Sequence, residues 1–388
     1  MYAADKKHIG SENEIKPVAA GCIIKSTDSY YITVSIACFG AFIVFGSCHA
    51  SLGASVPMIS QVLHESETSV GFAFITRGSG FLVGTIGSGL VYSYLPKSFR
   101  KDILLCVFTV FIGVVTACVG YNSNYYRFLM LTVFQGFCFG VVDTFGNCLL
   151  PELWGVRVQP WMQALHLFYG VGAIFGPLLI GYMGFQLTYH AIGLISALPL
   201  ISMVIFRMTQ HAPQSKVHYK ALITADEESS QASTEIETIE EDELGDEDDD
   251  DDEEEAKRVP VTIPLRVLIA IFYFIYGGTE SSFGGWISVY AMNSGATSDP
   301  STAAYIATLF WLSLTIGRVA AVFTAIYFSA TFMLRFHLTM TIIASLLLLL
   351  FGHFSVTSCY LVSALMGLAI SAVYPLVMTI VTDYGYTM

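Results

Sequence analysis

Long apolar stretches separated by short polar breaks run through almost the whole chain. Ten apolar runs stand out, at 32–59, 70–94, 103–121, 127–150, 161–183, 189–207, 264–291, 303–328, 333–352 and 356–381. An apolar run of about 18 residues is long enough for a helix to cross a bilayer. Backbone polar groups in lipid must be satisfied inside the element, so each run predicts a helix. The pattern therefore predicts an all-α membrane protein with ten transmembrane helices. A water-soluble enzyme with buried helices does not fit ten such runs. No P-loop, HExxH, G-x-S-x-G or CxxC pattern appears. The stretch "GSGFLVG" (78–84) has the wrong spacing for a dinucleotide fingerprint and lies inside a run, where Gly80 and Gly84 suit close helix packing.

Composition agrees with the pattern. Only 13% of residues are charged, against about 25% in an average soluble domain, and mean hydropathy is +0.62. Residues 1–30 are polar and mixed in charge, so no cleavable signal peptide is expected. Basic residues set the orientation. If the spans alternate, Lys6, Lys7, Lys16, Lys25, Lys97, Arg100, Lys101, Arg157, Arg207, Lys216, Lys220, Lys257, Arg258, Arg266 and Arg335 fall on one side, and Arg127 falls on the other. Cytoplasmic loops carry the excess of Lys and Arg, so the N-terminus and the long 209–260 segment are expected in the cytoplasm. An even span count puts the C-terminus there too. The expected location is the cell membrane, with several passes.

The acidic balance is local. Of the 31 acidic residues, 19 lie in 226–255, which ends in "GDEDDDDDEEE". The 209–260 segment carries a net charge of −15 within a chain total of −13. Such a stretch has too little apolar surface to repay its ordering, and is expected to be a disordered cytoplasmic linker. A calcium loop does not fit, because the sixth-position Gly and the ligand alternation are missing. Phosphorylation at Ser229, Ser230, Ser233 or Thr234 and a cytoplasmic partner for the acidic run stay open. The expected organisation is a 1–30 N-terminal segment, a 31–208 half of six helices, the 209–260 linker, and a 261–388 half of four helices. Six of the eight cysteines lie within spans, and no pair shows metal spacing, so free thiols are expected.

The two halves invite a search for a repeat. Setting "FGSCHASLGAS" (45–55) under "YGGTESSFGGW" (276–286) pairs Gly46 with Gly277, Ser51 with Ser282, Gly53 with Gly284, and His49 with Glu280. The offset is 231 residues, and it also pairs Gly136 with Gly367 and Glu152 with Asp383. Glu280 interrupts the apolar "FIYGGTESSFGGWISVYA" (274–291). An acid at bilayer depth is costly and is a candidate for substrate or ion contact. The plainer reading is a structural acid paired with Arg318. Asp143 and Asn147 are four apart, on one face of span four, and Gln163 and His166 are three apart on one face of span five. These groups offer hydrogen bonds to a polyol. Trp286, Trp311, Tyr276 and Phe168 offer faces for a sugar ring, although any one of them alone suits packing or an interfacial belt. His166 alone also suits a hydrogen-bonded core role.

At this point the chain resembles the major facilitator superfamily. The carriers of the resemblance are six spans, a long loop and a related second half, together with "GAIFGPLLIG" (172–181), which is similar to that family's fifth-helix glycine–proline motif. "DTFGN" (143–147) is similar to a fourth-helix stretch of fucose:proton symporters. "ALHLFYGVGAIFGPLL", "YGGTESSFGGWISVYA" and "FWLSLTIGR" look most like the branch of sodium-dependent glucose transporter 1 and facilitator-domain-containing protein 4. The resemblance implies a helix bundle of two pseudo-symmetric halves. It implies a hexose, glucose-like, as substrate, alternating access as mechanism, and sodium as the expected co-substrate with no other cofactor. It places Asp143 and Asn147 at the sugar and coupling positions of span four, Gln163 at the polar site of span five and Glu280 at that of span seven. Together with the residues read above, the expected substrate contacts are Asn147, Gln163, His166, Glu280, Trp286 and His49, and the expected ion contacts are Asp143 and Glu280. Three departures stand. The first-helix acid of fucose symporters is here Gly53, four residues before Pro57. The loop "YLPKSFRKD" lacks the usual Asp. The family has twelve helices, and this chain ends after ten, so the second half is expected to be incomplete. A carrier for an organic anion, drug or nucleoside, in which Arg77 and Arg318 matter more, and a truncated non-transporting regulator are the alternatives. Sugar and bilayer are the expected partners, and nucleic acid is not.

Overall fold

A computed structural model of the chain describes residues 26–96, 99–209, 259–260, 263–383 and 386–387. The acidic linker, apart from its end residues Thr209, Val259 and Pro260, and the N-terminal segment up to Lys25 lie outside the described residues, as do Cys22 and Lys97. Six spans come before the linker. They are α1 (Ser26–Leu63), α2 (Glu67–Tyr94), α3 (Lys101–Gly120), α4 (Tyr125–Trp154), α5 (Gln159–Met183) and a sixth divided into α6 (Phe185–Ile195) and α7 (Leu198–Thr209). Four spans come after it. They are α8 (Ile263–Asn293), α9 (Pro300–Thr324), α10 (Ala330–Phe351) and a tenth divided into α11 (Val356–Ile370) and α12 (Val373–Asp383). Ten helices among the described residues are long and apolar enough to cross a membrane, and they coincide with the ten apolar runs. The extended structure is a two-residue parallel pairing of Val259–Pro260 with Tyr386–Thr387. The fold is otherwise all-α, as expected.

The ends of the helices follow local chemistry. The first N–H groups of a helix lack intrahelical acceptors, and a short polar side chain supplies one. Ser66 caps α2, Asn124 caps α4, Asp299 caps α9, Ser329 caps α10 and Ser355 caps α11. The two divided spans break for one reason. Proline lacks an N–H and its ring crowds the carbonyl four residues earlier. Pro199 disrupts the helix after Ile195, and Pro375 does so near Ser371. Each break seats a serine on a glycine of a neighbouring span, Ser196 on Gly113 of α3 and Ser371 on Gly317 of α9.

The two halves repeat their packing. In the first half α2 packs on α4 and α1 on α5; in the second, α9 packs on α11. Gly136 of α4 lies so close to α2 that a Cβ there would strike the Arg77 carbonyl, and Gly367 of α11 is seated in the same way on the Phe310 carbonyl of α9. The repeat is incomplete at α8. Gly46 of α1 receives the backbone of α5 at Tyr169, but nothing stands within 4 Å of its counterpart Gly277. None of the most apolar stretch of α8 is buried, against 61% in α1.

Candidate functional site

One connected polar group inside the spans centres on Glu280, near the middle of α8. Arg318 of α9 holds Glu280 Oε2 at 3.2 Å through Nη2. Tyr276, one turn before Glu280, donates its hydroxyl to the same oxygen at 2.7 Å. That hydroxyl also stands 3.2 Å from the carbonyl of Ile370, the last residue of α11. The phenol thus also touches the break in the tenth span. Acid, guanidinium, phenol and helix break form one unit. The Glu280 side chain is 13% exposed and that of Arg318 is 27%, so neither charge is sealed from water.

A second polar group stands on α4 and α5. Asn147 donates its amide to the Asp143 carboxylate at 3.0 Å and to the Asp143 carbonyl at 2.9 Å. The i, i+4 spacing makes both bonds geometrically natural. Among the described residues no cation lies within ion-pair distance of Asp143. Gln163 and His166 are exposed on α5. His166 sets its ring edge-on to Phe42 at 6.2 Å. Tyr169, one turn after His166, sets its ring 5.1 Å from that of Phe45 and 6.0 Å from that of His49.

His49 and Trp286 sit elsewhere. The His49 ring lies among Phe45, Phe139, Tyr169 and Trp311, at centroid separations of 6.0–6.5 Å. Its carbonyl accepts a bond from Arg77 Nη1 at 3.3 Å. Trp286 packs against Phe74 and the backbone of Gly71 on α2, at the seam between the halves and apart from the Glu280 unit. The structure thus joins Glu280 to Arg318 and Tyr276, joins Asp143 to Asn147, sets His49 among Tyr169, Trp311 and Arg77, and leaves Trp286 on the seam.

The seam itself is closed toward the end that carries the α1–α2 and α8–α9 turns. There Gly53 of α1 meets Gly284 and Gly285 of α8, and Gly181 of α5 takes the ring of Tyr305 of α9. At the rim, Asn293 donates to Glu67 at 2.6 Å. At the opposite end the ion pairs stay within the first half. Arg100 binds Asp102 at 2.6 Å, Lys101 binds Glu152 at 2.8 Å, and Tyr92 donates to Glu152. Asp102 thus supplies an acid immediately after a loop that lacks the family's usual one.

Two halves of like packing thus meet at a seam that is closed at one end. The sequence pattern of the family described as Major Facilitator Superfamily matches residues 35–386. The chain belongs to the major facilitator superfamily. "Bypass of stop codon protein 6" of Saccharomyces cerevisiae is 24% identical over 289 residues, 73% of this chain and 55% of that protein. "Sodium-dependent glucose transporter 1A" of Mus musculus is 29% identical over 141 residues, 36% of this chain and 32% of that protein. "Major facilitator superfamily domain-containing protein 4A" of Xenopus tropicalis is 22% identical over 400 residues, 89% of this chain and 78% of that protein. The chain therefore spans about half of the first relative's length and about a third of the second's. Among solved structures, the nucleoside transporter NupG matches with a TM-score of 0.58 at 12% identity, over 91% of this chain and 82% of that one. The xylose transporter XylE from E. coli matches with a TM-score of 0.57 at 13% identity, over 92% and 88%. At such identities the likeness shows the facilitator fold.

Within that fold, Tyr169 packs against Phe45 and His49, a contact that sequence reasoning passed over. Its signal was its place three residues after His166, on the same face of α5. Tyr276 was legible only as an aromatic face, and its hydroxyl is what engages Glu280.

Proposed function

We propose that this facilitator carries a glucose-like hexose across the cell membrane by alternating access, with sodium as the co-transported ion. The observation that carries the reading is the pair of polar groups inside the spans, Glu280 bonded to Arg318 and Tyr276, and Asp143 bonded to Asn147. A polyol needs many directional donors and acceptors at once, and this set supplies both kinds. Asn147, Gln163 and His166 bind hydroxyls in this reading, and Asp143 and Glu280 hold the ion. His49 and Trp286 bound the site from the closed end. The names of the glucose-transporter relatives support the same substrate class. Residues 31–208 and 261–388 act as the two moving units, with 209–260 as their cytoplasmic tether and both termini in the cytoplasm.

The test is uptake of labelled glucose into liposomes holding the purified chain, with imposed sodium or proton gradients and unlabelled sugars as competitors. Accumulation driven by an inward sodium gradient and suppressed by hexoses supports the reading. Accumulation under a proton gradient alone removes sodium from it. Absence of any hexose flux, with flux of another solute, removes the sugar.

A further inference from the structure

Four charged side chains lie well inside the spans. Glu280 has Arg318, and Asp143 has the Asn147 amide. Arg77 of α2 is different. It is 7% exposed, and among the described residues no carboxylate lies within ion-pair distance of it. Its bonded partner is the His49 carbonyl, at 3.3 Å. The guanidinium otherwise rests over the rings of Phe74 and Phe139, at 5.6 and 5.7 Å. A guanidinium has five N–H donors. None of Arg77's nitrogens is both fully enclosed and unpartnered, so its remaining donors keep some accessible surface. A buried cation without a counter-charge is expensive, and membrane proteins keep such a group for a use.

The other half presents a second unused donor at the same place. The Trp311 indole is 2% exposed, and its Nε1 has no hydrogen-bond partner. Its ring sits 6.0 Å from the His49 ring, and His49 is the residue whose carbonyl Arg77 grips. Gly285 next to it on α8 faces Phe74, the ring under Arg77, while Gly284 faces Trp311. One donor from each half therefore borders His49 at the seam, and no acid is supplied to either.

We propose that Arg77 and Trp311 form a receptor for a carboxylate on the substrate, so that the carrier prefers an acidic sugar, a hexuronate, to the neutral hexose. The sugar part of this inference rests on the hexose reading above; the carboxylate part does not. A carboxylate supplies the counter-charge that Arg77 lacks and an acceptor for the indole N–H. Arginine matches that geometry with two parallel bonds. Because the donors come from different halves, a carboxylate bound there ties the halves together at the closed end. A neutral hydroxyl gives no counter-charge.

The experiment measures ligand binding to the purified full chain by thermal shift and by calorimetry, at constant ionic strength. The probes are D-glucuronate, D-glucuronamide, D-glucose and cyclohexanecarboxylate. The proteins are the parent chain, Arg77→Gln, Arg77→Lys and Trp311→Phe, each shown to be monodisperse. Bonds to a charged partner are the strong class, so glucuronate should bind the parent roughly tenfold or more tighter than glucuronamide or glucose. Arg77→Gln should abolish that preference and leave glucose binding in place. Arg77→Lys should keep part of it, and Trp311→Phe should reduce it severalfold. If Arg77→Gln does not fold, the acid-to-amide ratio in the parent and in Arg77→Lys still decides. Equal binding of glucuronate and glucuronamide by the parent overturns the proposal, as does a preference that survives unchanged in Arg77→Gln. Glucose binding without glucuronate binding overturns the carboxylate and leaves the hexose reading standing. Cyclohexanecarboxylate binding through Arg77, with no sugar bound, keeps the carboxylate receptor and overturns the hexose.

Discussion

Gly53 of α1 and Gly285 of α8 meet backbone to backbone, so that a Cβ at Gly53 would lie 2.6 Å from the Gly285 Cα and 2.7 Å from the Gly284 carbonyl oxygen. The 231-residue offset makes Gly284 the repeat counterpart of Gly53. A residue that touches its own counterpart places the pseudo-two-fold axis at that crossing. Small residues allow helices in lipid to approach this closely. The closed end of the seam thus depends on the absence of side chains at one crossing, with Asn293 and Glu67 bonded at the rim.

Gly53→Val should prevent this closure. The atoms in its way are backbone, which cannot swing aside as a side chain can, and overpacking of this kind costs about 1–3 kcal/mol. A cysteine pair at Glu67 and Asn293 reports the outcome. The pair should cross-link readily in the otherwise unchanged chain and poorly with Gly53→Val added. Equal cross-linking in both would show that the halves close without this contact.

Asp299 offers a prediction outside the bilayer. Its carboxylate accepts from the Ser301 and Thr302 backbone N–H groups and from the Thr302 hydroxyl. These bonds, led by the Thr302 hydroxyl, hold its pKa below the usual aspartate value. A carboxylate with a depressed folded pKa stabilises the fold above its unfolded value, near 3.9, and that contribution is lost as pH falls through the folded value. Replacing an Asp N-cap with Ala costs about 0.5–2 kcal/mol. Asp299→Ala should therefore melt earlier than the parent at pH 7, and the gap should narrow in acid. Asp299→Asn, which keeps a capping oxygen, should lose much less at pH 7. A gap that does not change with pH would mean that the charge takes no part.

The spans were legible because apolar length alone marks them. Breaks within spans were not. Pro57, Pro151 and Pro177 lie inside continuous helices, whereas Pro199 and Pro375 accompany breaks. Whether a proline divides a helix depends on how the chain around it packs against other spans, as Ser196 does on Gly113 and Ser371 on Gly317 at the two breaks. The site was legible by residue type and less so by direction. Helices that are apolar all round carry little information about their rotation. Glu280 and Arg318 were readable as a pair, since opposite charges in lipid seek one another. Trp286, read from its type as a ring face, points toward α2 at the seam.

Asp143 and Asn147 should divide their effects. Asn147 donates to the Asp143 carboxylate without neutralising it. Asp143→Asn keeps the shape and removes the charge, so gradient-driven accumulation should fall while sugar binding stays. Asn147→Ala removes a hydrogen bond worth about 0.5–1.5 kcal/mol, more if a partner is left unsatisfied, and should mainly weaken sugar affinity. The measurement is uptake with and without imposed gradients, alongside equilibrium binding. Wild-type accumulation by Asp143→Asn would remove this acid from the coupling site.

Glu280 and Arg318 set the last test, because a pair held for structure and a pair held for coupling respond differently. Removing one partner of a buried ion pair leaves an uncompensated charge and costs about 3–5 kcal/mol when burial is complete. Arg318 keeps 27% of its side chain exposed, so the cost here should lie below that range. Glu280→Gln keeps an acceptor for the Tyr276 hydroxyl but leaves Arg318 unpaired. The double variant Glu280→Gln with Arg318→Gln removes both charges together. If the pair is structural, Glu280→Gln should lower the melting temperature, and the double variant should restore most of the melting temperature and of the uptake. If Glu280 holds the ion, the double variant should restore stability while accumulation stays low. Melting in detergent and gradient-driven uptake, read on the same preparations, separate the two roles. Full accumulation by the double variant would leave Glu280 as the counter-charge of Arg318 and nothing more.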